Sequence, residues 1–165
     1  KIAWSRFWGN KIGKKCKIDI TASLPYWKGL YVGDDCFVGE KTIIYVGDVC
    51  GYIHIGSGTA IGKRSTIAAL GSLCIGKDCL FSDDVHITDI EHIFGKDINP
   101  RTSGIRFKLG IYIGNRCFIG KNAVILPGTY LSDGCVVGAN TTCKGFYPPN
   151  SVIVGVLGKA IYEMA

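Results

Sequence analysis

The chain has 165 residues, a formal net charge of +6 and a hydrophobic fraction of 47%. This length suits one domain with a sizeable core, and the hydrophobic fraction excludes a disordered chain, which needs low hydrophobicity and high charge. No run approaches the roughly 18 uninterrupted apolar residues of a membrane helix, and the scattered lysines and arginines do not form a nucleic-acid footprint. We therefore expect a single domain over 1–165, with no transmembrane segment and no nucleic-acid partner.

The chain opens with an aromatic and basic segment, KIAWSRFWGNKIGKK, which lacks the long apolar core of a signal peptide. Residues 1–11 are predicted to form a cap that packs over one end of the fold. An alternative role for Trp4, Phe7 and Trp8 is docking to a membrane interface or to a partner.

A six-residue repeat follows, with an aliphatic residue at its first position, glycine at its second and a small residue at its fifth. The segments VGDDCF (32–37) and VGEKTI (38–43) are two consecutive copies. Copies start at Val32, Val38, Ile55, Ile61, Ile67, Ile75, Phe81, Ile87, Ile93, Ile113, Ile119, Ile125, Leu131 and Val137. The glycine follows at Gly33, Gly39, Gly56, Gly62, Gly76, Gly114, Gly120 and Gly138.

This period excludes helices, because six is not a multiple of 3.6 and each glycine inside a helix would cost roughly 1 kcal/mol. Ordinary strands alternate with period two and do not need glycine at every sixth residue. Short strands joined by tight corners fit the pattern, with three copies forming one triangular coil and coils stacking about 4.8 Å apart. We predict an all-β parallel β-helix in which the aliphatic residue points inward and the glycine permits the tight corner.

The cysteines follow the same repeat, since six of the eight occupy its small fifth position. These six are Cys16, Cys36, Cys50, Cys79, Cys117 and Cys135. Reduced thiols behave as small hydrophobic groups, so they are predicted to be buried, which favours a cytoplasmic protein over a disulfide scaffold. No CxxC motif occurs and the spacings do not fit a zinc site, so no metal is expected.

The repeat stops after Ile93, and the segment FGKDINPRTSGIRFKLG (94–110) is predicted to protrude from the prism as a loop. Long loops on rigid scaffolds commonly carry function. His92 lies at the mouth of this loop at an outward position. If the register holds, His54, Cys74 and His92 form one column with the two histidines about 10 Å apart.

The final segment, GKAIYEMA, is predicted to form a short helix within a C-terminal cap over 156–165. An uninterrupted ladder of strands needs protection at both ends.

The hexads and the segment IGNRCFIGKNAVILPGTYLSDGCVVGANTTCKGFYPPNSVIVGVLGKAIYE resemble the hexapeptide-repeat acyltransferases over roughly residues 12–160. The pattern is most similar to the sugar O-acetyltransferase branch, which includes the galactoside, maltose and capsule or lipopolysaccharide acetyltransferases. The resemblance implies a left-handed parallel β-helix, and a homotrimer with active sites between subunits. It also implies acetyl-CoA-dependent transfer of an acetyl group to a carbohydrate hydroxyl, in the biosynthesis of capsule, exopolysaccharide or O-antigen.

Direct transfer to a hydroxyl needs a general base and donors for the developing oxyanion. Family members with a string like ITDHNHSYED place the catalytic histidine at its last His, which corresponds to His92. A carboxylate or a backbone carbonyl should orient the ring. The sequence leaves open which group does so, and four acidic residues lie nearby: Asp83, Asp84, Asp89 and Glu91.

The acceptor and cofactor residues are predicted less directly. Asp83, Asp84 and His86 are candidates for contacts with the sugar; corner-capping aspartates and a plain surface histidine are the alternatives. The resemblance places acetyl-CoA along the C-terminal coils, against Gly120, Lys121, Gly138, Ala139, Lys144 and Lys159. The chain departs from the family pattern at Lys144, which is displaced by one position, and at Tyr162, where relatives often carry a second basic residue.

Three other functions fit parts of the pattern. An N-acetyltransferase acting on an amino-sugar nucleotide is a close neighbour of the leading hypothesis. A γ-type carbonic anhydrase would need three zinc-binding histidines shared across a trimer interface, but His86 and His92 are six residues apart where that family has a spacing of five. A non-catalytic structural β-helix would leave the loop and His92 unexplained.

Overall fold

The computed structural model describes residues 10–25, 28–47, 51–156 and 159–163, the last segment by its backbone alone. Three parallel sheets form the faces of a prism of about seven coils. Face A holds β1 (Lys11–Ile12), β3 (Leu30–Val32), β6 (Tyr52–Ile55), β9 (Ser72–Ile75), β14 (Ile111–Ile113), β17 (Tyr130–Leu131) and β20 (Phe146–Tyr147). Face B holds β2 (Lys17–Ile18), β4 (Phe37–Val38), β7 (Ala60–Ile61), β10 (Leu80–Phe81), β15 (Phe118–Ile119), β18 (Val136–Val137), β21 (Ser151–Val154) and β22 (Lys159–Glu163).

Face C holds β5 (Ile43–Val46), β8 (Thr66–Ala69), β11 (His86–Thr88), β16 (Val124–Ile125) and β19 (Thr142–Cys143). The chain runs from face A to B to C in each coil. Two further strands, β12 (Ile90–His92) and β13 (Ile105–Phe107), form a separate antiparallel ribbon. The described residues contain no helix, and the predicted all-β parallel β-helix is confirmed.

The core is a stack of identical positions from successive coils. On face B, Phe81 pairs in register with Ile61 below it and with Ile119 above it, and all three side chains are buried. Parallel in-register pairing places each inward residue directly over its equivalent. The first position of the repeat is therefore apolar in every coil because it always faces the same core.

The repeat glycine has a different role from the one predicted. The left-handed backbone conformation falls two residues later, at the fourth position, as in Arg64 (φ 54°), Asp84 (φ 63°) and Asn122 (φ 57°). At the glycine itself, a Cβ atom on Gly62 would lie 2.5 Å from the carbonyl carbon and oxygen of Ser82 in the next coil. Close contact between stacked coils, and not corner conformation, therefore excludes a side chain at the second position.

The thiols of the repeat form a column at one corner of the prism. Cys36, Cys79, Cys117 and Cys135 are buried, as predicted, and Cys16 in the first coil is half-buried. Each thiol donates to a backbone carbonyl of the next coil; for example, Cys117 Sγ lies 3.3 Å from Ser132 O. Hydrogen bonding to Cys135 and Cys79 together with burial raises the pKa of the Cys117 thiol. Cys50 lies outside the described residues.

A hydroxyl serves the same purpose in this column, which makes the thiols replaceable. Thr59 occupies the equivalent position between Cys36 and Cys79, and its Oγ1 donates to Gly76 O at 2.9 Å. We expect Cys117→Thr to change the free energy of unfolding by less than about 1 kcal/mol, and Cys117→Leu to lower it by about 1–3 kcal/mol through overpacking. Urea unfolding of both variants checks this, and equal losses would contradict it.

The predicted C-terminal helix is wrong. Lys159–Glu163 is a strand that pairs antiparallel with β21, with a register irregularity between Val152 and Ile153. The last coil leaves the N–H and C=O groups of β21 without a further coil to bind, and an added strand satisfies them. The predicted N-terminal cap lies mostly outside the described residues, which begin at Asn10.

Candidate functional site

The interruption of the repeat is an antiparallel ribbon at the edge between faces C and A. The chain leaves face C after Thr88 and enters face A again at Ile111. Pairing within the ribbon begins at Ile90, four residues before the predicted start of the loop, and Ile93 N donates to Gly104 O at 3.1 Å. Ile93 therefore belongs to the ribbon and does not begin another coil, although it follows Ile87 by six residues.

The early departure changes the register that the sequence suggested. Cys74 pairs with His54 below it, as predicted, but with Tyr112 above it. His92 is not in this column, because the chain returns to face A only after the ribbon. His54 lies on face A and His86 on face C, and no cluster of three or more metal-binding side chains occurs among the described residues.

The ribbon has two different faces. Opposed residues of an antiparallel pair project to the same side, so the pairs Ile90–Phe107 and His92–Ile105 share one side, here called the His92 face. The His92 side chain is exposed, and Ile105 and Phe107 are 44% and 47% exposed. The candidate base therefore lies on an apolar surface that the described chain leaves open.

The opposite face of the ribbon is charged. Glu91 forms ion pairs with Arg106, at 2.8 Å, and with Lys108. The hydrogen bonds from Lys108 and Arg106 hold the pKa of the Glu91 carboxyl below its ordinary value. Glu91 is thus occupied on the side away from His92, which argues against it as the group that orients the imidazole.

A buried carboxylate lies at the root of the ribbon. Asp89 is fully buried, and its two oxygens accept hydrogen bonds from the backbone N–H groups of Leu70 at 2.8 Å and Gly71 at 2.9 Å. Burial raises the pKa of Asp89, although these hydrogen bonds oppose the shift. Within the described part of the chain, no hydrogen bond joins the His92 ring to any of the four acidic residues considered from the sequence.

The predicted acceptor residues lie at a different edge, between faces B and C. Asp84 accepts two hydrogen bonds from the Arg64 guanidinium, at 2.7 and 2.8 Å, and these lower the pKa of the Asp84 carboxyl. Asp83 accepts a hydrogen bond from Lys63 N at 2.8 Å. Asp89 follows Asp84 by five positions across face C, a distance of at most roughly 16 Å. Both aspartates make corner contacts, and one chain does not bring them to its own His92, so their contact with the sugar stays a prediction.

His86 lies outward on face C, between Thr66 in the coil below and Val124 in the coil above. Desolvation lowers the pKa of its imidazole. No acidic partner of this ring occurs among the described side chains, and His86 lies on a face and not at an edge, so its contact with the sugar stays a prediction.

The predicted cofactor residues divide between the two edges. Gly120, Lys121, Gly138 and Ala139 meet at the B–C edge in successive coils, and a Cβ on Gly120 would lie 2.5 Å from Ala139 N. The Nζ atom of Lys121 also lies 3.5 Å from Oδ2 of Asp84.

Lys144 lies at the C–A edge, two coils or roughly 10 Å beyond the root of the ribbon. Lys159 lies in β22 on face B, and its side chain is outside the described residues.

A groove that the sequence did not reveal adjoins the root of the ribbon on face A. Its volume is about 380 Å³, and its lining comprises Ser72, Cys74, Leu109, Gly110, Ile111, Tyr112, Gly128, Thr129 and Tyr130. The rings of Tyr112 and Tyr130 stack with centroids 4.5 Å apart. The sequence shows that both tyrosines occupy the outward position before the first residue of a repeat, which could have indicated that they stack. Tyr112 could be aligned with Cys74 only once the length of the excursion was known.

Comparison with known proteins agrees with this architecture. Residues 110–142 match the family model described as hexapeptide repeat of succinyl-transferase. The chain is 36% identical over 118 residues to WbbJ of Escherichia coli, a putative lipopolysaccharide biosynthesis O-acetyl transferase, covering 67% of this chain and 60% of WbbJ. It is 30% identical over 151 residues to WcaF of Escherichia coli, a putative colanic acid biosynthesis acetyltransferase, covering 91% of this chain and 67% of WcaF.

Among solved structures, the fold matches AntD, an N-acyltransferase from Bacillus cereus in complex with dTDP and coenzyme A. The TM-score is 0.81 at 17% identity, covering 100% of this chain and 89% of AntD. The chain spans about half to two thirds of the length of the curated relatives that it matches. In the described part of the chain, no helix has the length and apolarity needed to cross a bilayer.

Proposed function

The chain belongs to the hexapeptide-repeat acyltransferase family and has its left-handed parallel β-helix, and from this premise we propose that it transfers an acetyl group from acetyl-CoA to a carbohydrate hydroxyl. The observation that carries the proposal is the ribbon, because it displays His92 where the chain leaves the prism as an antiparallel excursion. The names of WbbJ and WcaF support an acceptor in polysaccharide biosynthesis.

We assign His92 as the general base. The neutral imidazole would accept the proton of the acceptor hydroxyl as that oxygen attacks the thioester carbonyl carbon. The carbon–sulfur bond then breaks, the acetyl group forms an ester with the sugar, and the coenzyme leaves as its thiol after taking up a proton. The imidazole is exposed and therefore open to an acceptor hydroxyl, and no described acidic side chain orients its ring.

We propose further that the working site needs a second copy of the chain, in a homotrimer. A two-stranded ribbon is marginally stable alone, and its His92 face exposes Ile105 and Phe107. The candidate base and Lys144 lie at the C–A edge, whereas Lys121 and Ala139 lie at the B–C edge. One prism cannot bring its own two edges together, but the C–A edge of one subunit can face the B–C edge of the next.

The acetyl-CoA assignment retains the six predicted positions. The N–H groups of Gly120 and Gly138 donate to Val137 O and Ile153 O of the next coil, so an extended pantetheine arm would bind the remaining backbone groups beside them. Lysine side chains would attract the phosphates as point charges. AntD, whose fold this chain shares, was solved with coenzyme A. A reducing cytoplasm suits both this co-substrate and the free thiols.

Thiol release measures the proposed reaction. The protein is incubated with acetyl-CoA and a panel of acceptors comprising neutral sugars, polysaccharide fragments and amino-sugar nucleotides, and free coenzyme A is followed with a thiol reagent. We expect release that depends on a hydroxyl acceptor, with a product whose acetyl group is removed by mild base, as an ester is.

A base-stable product formed only on amino sugars would identify the N-acetyltransferase alternative. Absence of coenzyme A binding by calorimetry, with no release on any acceptor, would overturn the proposed function.

A further inference from the structure

We propose that Asp89 is a positioning residue that fixes the ribbon, and with it His92, to the C–A edge of the prism. The proposal rests on the role given above to His92 as the general base. It follows from the hydrogen bonds of a buried carboxylate at the point where the chain leaves the coil.

Asp89 occupies a position that holds an apolar residue in the coils below. Val46 pairs with Ala69 on face C, and the pairing of Ala68 with Thr88 places Asp89 next in the same inward column. Its side chain is 0% exposed, and it is the only acidic residue that is buried in the described chain. A carboxylate in such a place is costly unless it is hydrogen bonded, so its presence needs a specific reason.

The reason lies in the hydrogen bonds that a continuing coil would supply. Gly47 lies at the same corner two coils below Asp89's coil position, and its N–H donates to Ala69 O of the next coil at 2.7 Å. By the same register, Leu70 N would donate a hydrogen bond to the carbonyl of residue 89 if the coil continued. The chain turns outward at residue 89, so this hydrogen bond is not made. The Asp89 carbonyl instead accepts from Lys108 N at 3.3 Å, at the end of the ribbon.

The carboxylate replaces the missing carbonyl and binds a second N–H group as well. Its Oδ1 accepts from Leu70 N and its Oδ2 from Gly71 N, at 2.8 and 2.9 Å. These two hydrogen bonds are part-buried, and an aliphatic residue at position 89 would remove the acceptor of both N–H groups. Asp89 thus joins the corner at Leu70 and Gly71 to both strands of the ribbon. Strand β12 follows it directly in the chain, and Lys108, which follows β13, donates to its carbonyl.

A second contact fixes the other strand of the ribbon to the same corner. The ring of Phe107 lies against Gly71, where an added Cβ atom would collide with the ring. Phe107 pairs with Ile90, and His92 follows two residues later. The direction in which His92 projects therefore depends on the corner at Leu70 and Gly71, which Asp89 holds.

Asp89→Asn tests this, because asparagine has the same shape but only one acceptor oxygen. Its amide group would face one of the two backbone donors. Asp133→Asn is the matched control: Asp133 also accepts from a backbone N–H, that of Asn115 at 2.8 Å, but at a corner without an excursion. The measurements are amide hydrogen exchange by residue, the ring signals of His92 and His54 by NMR, and kcat and KM for acetyl transfer.

In Asp89→Asn we expect exchange of ribbon amides to be about tenfold faster or more, with face B amides unchanged. The His92 ring signal should shift or broaden while that of His54 stays in place. The kcat should fall about 10–100-fold with little change in KM for acetyl-CoA, because misplacement of a base slows chemistry more than binding. Asp133→Asn should leave all three measurements unaltered.

Wild-type exchange in the ribbon, uniformly faster exchange throughout the chain, or a looser ribbon with unchanged kcat would each overturn the proposal. If Asp89→Asn does not fold, Phe107→Ala loosens the same corner without a buried polar change, and the same ribbon-specific response is required. Exchange and NMR do not depend on turnover, so an inactive wild-type protein would contradict the proposed function and not the positioning of the ribbon.

Discussion

Replacing His92 with alanine is expected to lower kcat for acetyl transfer by about 10²–10⁴-fold, the usual contribution of a general base. The His92 side chain is exposed and has no hydrogen bond to the neighbouring acidic residues, so the substitution removes few contacts and should leave the fold intact. Coenzyme A binding should also be unchanged, since the predicted cofactor residues lie at other positions. Steady-state thiol release and calorimetry on the same preparation check both parts.

The matched control is Glu91→Gln, one residue away but on the opposite face of the ribbon. It removes the ion pairs to Arg106 and Lys108, which are exposed and contribute little to stability. We expect kcat within about threefold of wild type, because surface substitutions of this kind have small effects. Equal losses in the two variants would mean that the ribbon matters as a structure and that His92 is not the base.

The fold was predictable because every copy of the repeat gives the same evidence for an inward aliphatic residue and a corner six residues later. Each inward position, such as Ile61, Phe81 or Ile119, stacks on its equivalent in the neighbouring coils and meets the same core. One misread copy does not change the assignment, since the surrounding copies constrain it. The same redundancy identified the thiol column, where a small residue is needed in every coil.

The root of the ribbon could not be predicted from that pattern. Ile93 follows Ile87 by six residues and therefore looked like the start of another copy. Whether a coil continues depends on backbone hydrogen bonds, and here the Asp89 carboxylate accepts those that a continuing chain would accept. Spacing of aliphatic residues carries no information about these bonds, so the departure was placed too late.

The candidate site was predictable only in part. His92 became the candidate base because it lies where the repeat stops and because a similar string in relatives ends in the catalytic histidine. Asp83 and Asp84 are close to His92 in sequence, but within one chain a face of the prism separates them from the ribbon. Proximity along a chain that turns a corner every six residues is a poor guide to proximity in space.

The largest expected effect on stability comes from a single methyl group at Gly76. A Cβ atom there would lie 2.5 Å from the carbonyl carbon and oxygen of Gly114, in the next coil. These are backbone atoms held by the ladder; for example, Gly76 N donates to Ile113 O at 2.7 Å. Because they cannot move aside as a flexible side chain can, we expect Gly76→Ala to lower the free energy of unfolding by about 3 kcal/mol or more.

Gly95→Ala, in the loop of the ribbon, is the control variant. It distinguishes the effect of the backbone contact at Gly76 from the general effect of replacing a glycine on the free energy of unfolding. There the nearest atom to an added Cβ is Cδ1 of Ile98, at 3.2 Å, which is the mobile end of a side chain. We expect a change within about 0.5 kcal/mol, measured by urea unfolding at the same protein concentration. Because each coil contacts only its neighbours, separation of two coils at Gly76 should disrupt the ladder on both sides. Similar stabilities of the two variants would show that the coils can move apart, and that the repeat glycine is retained for another reason.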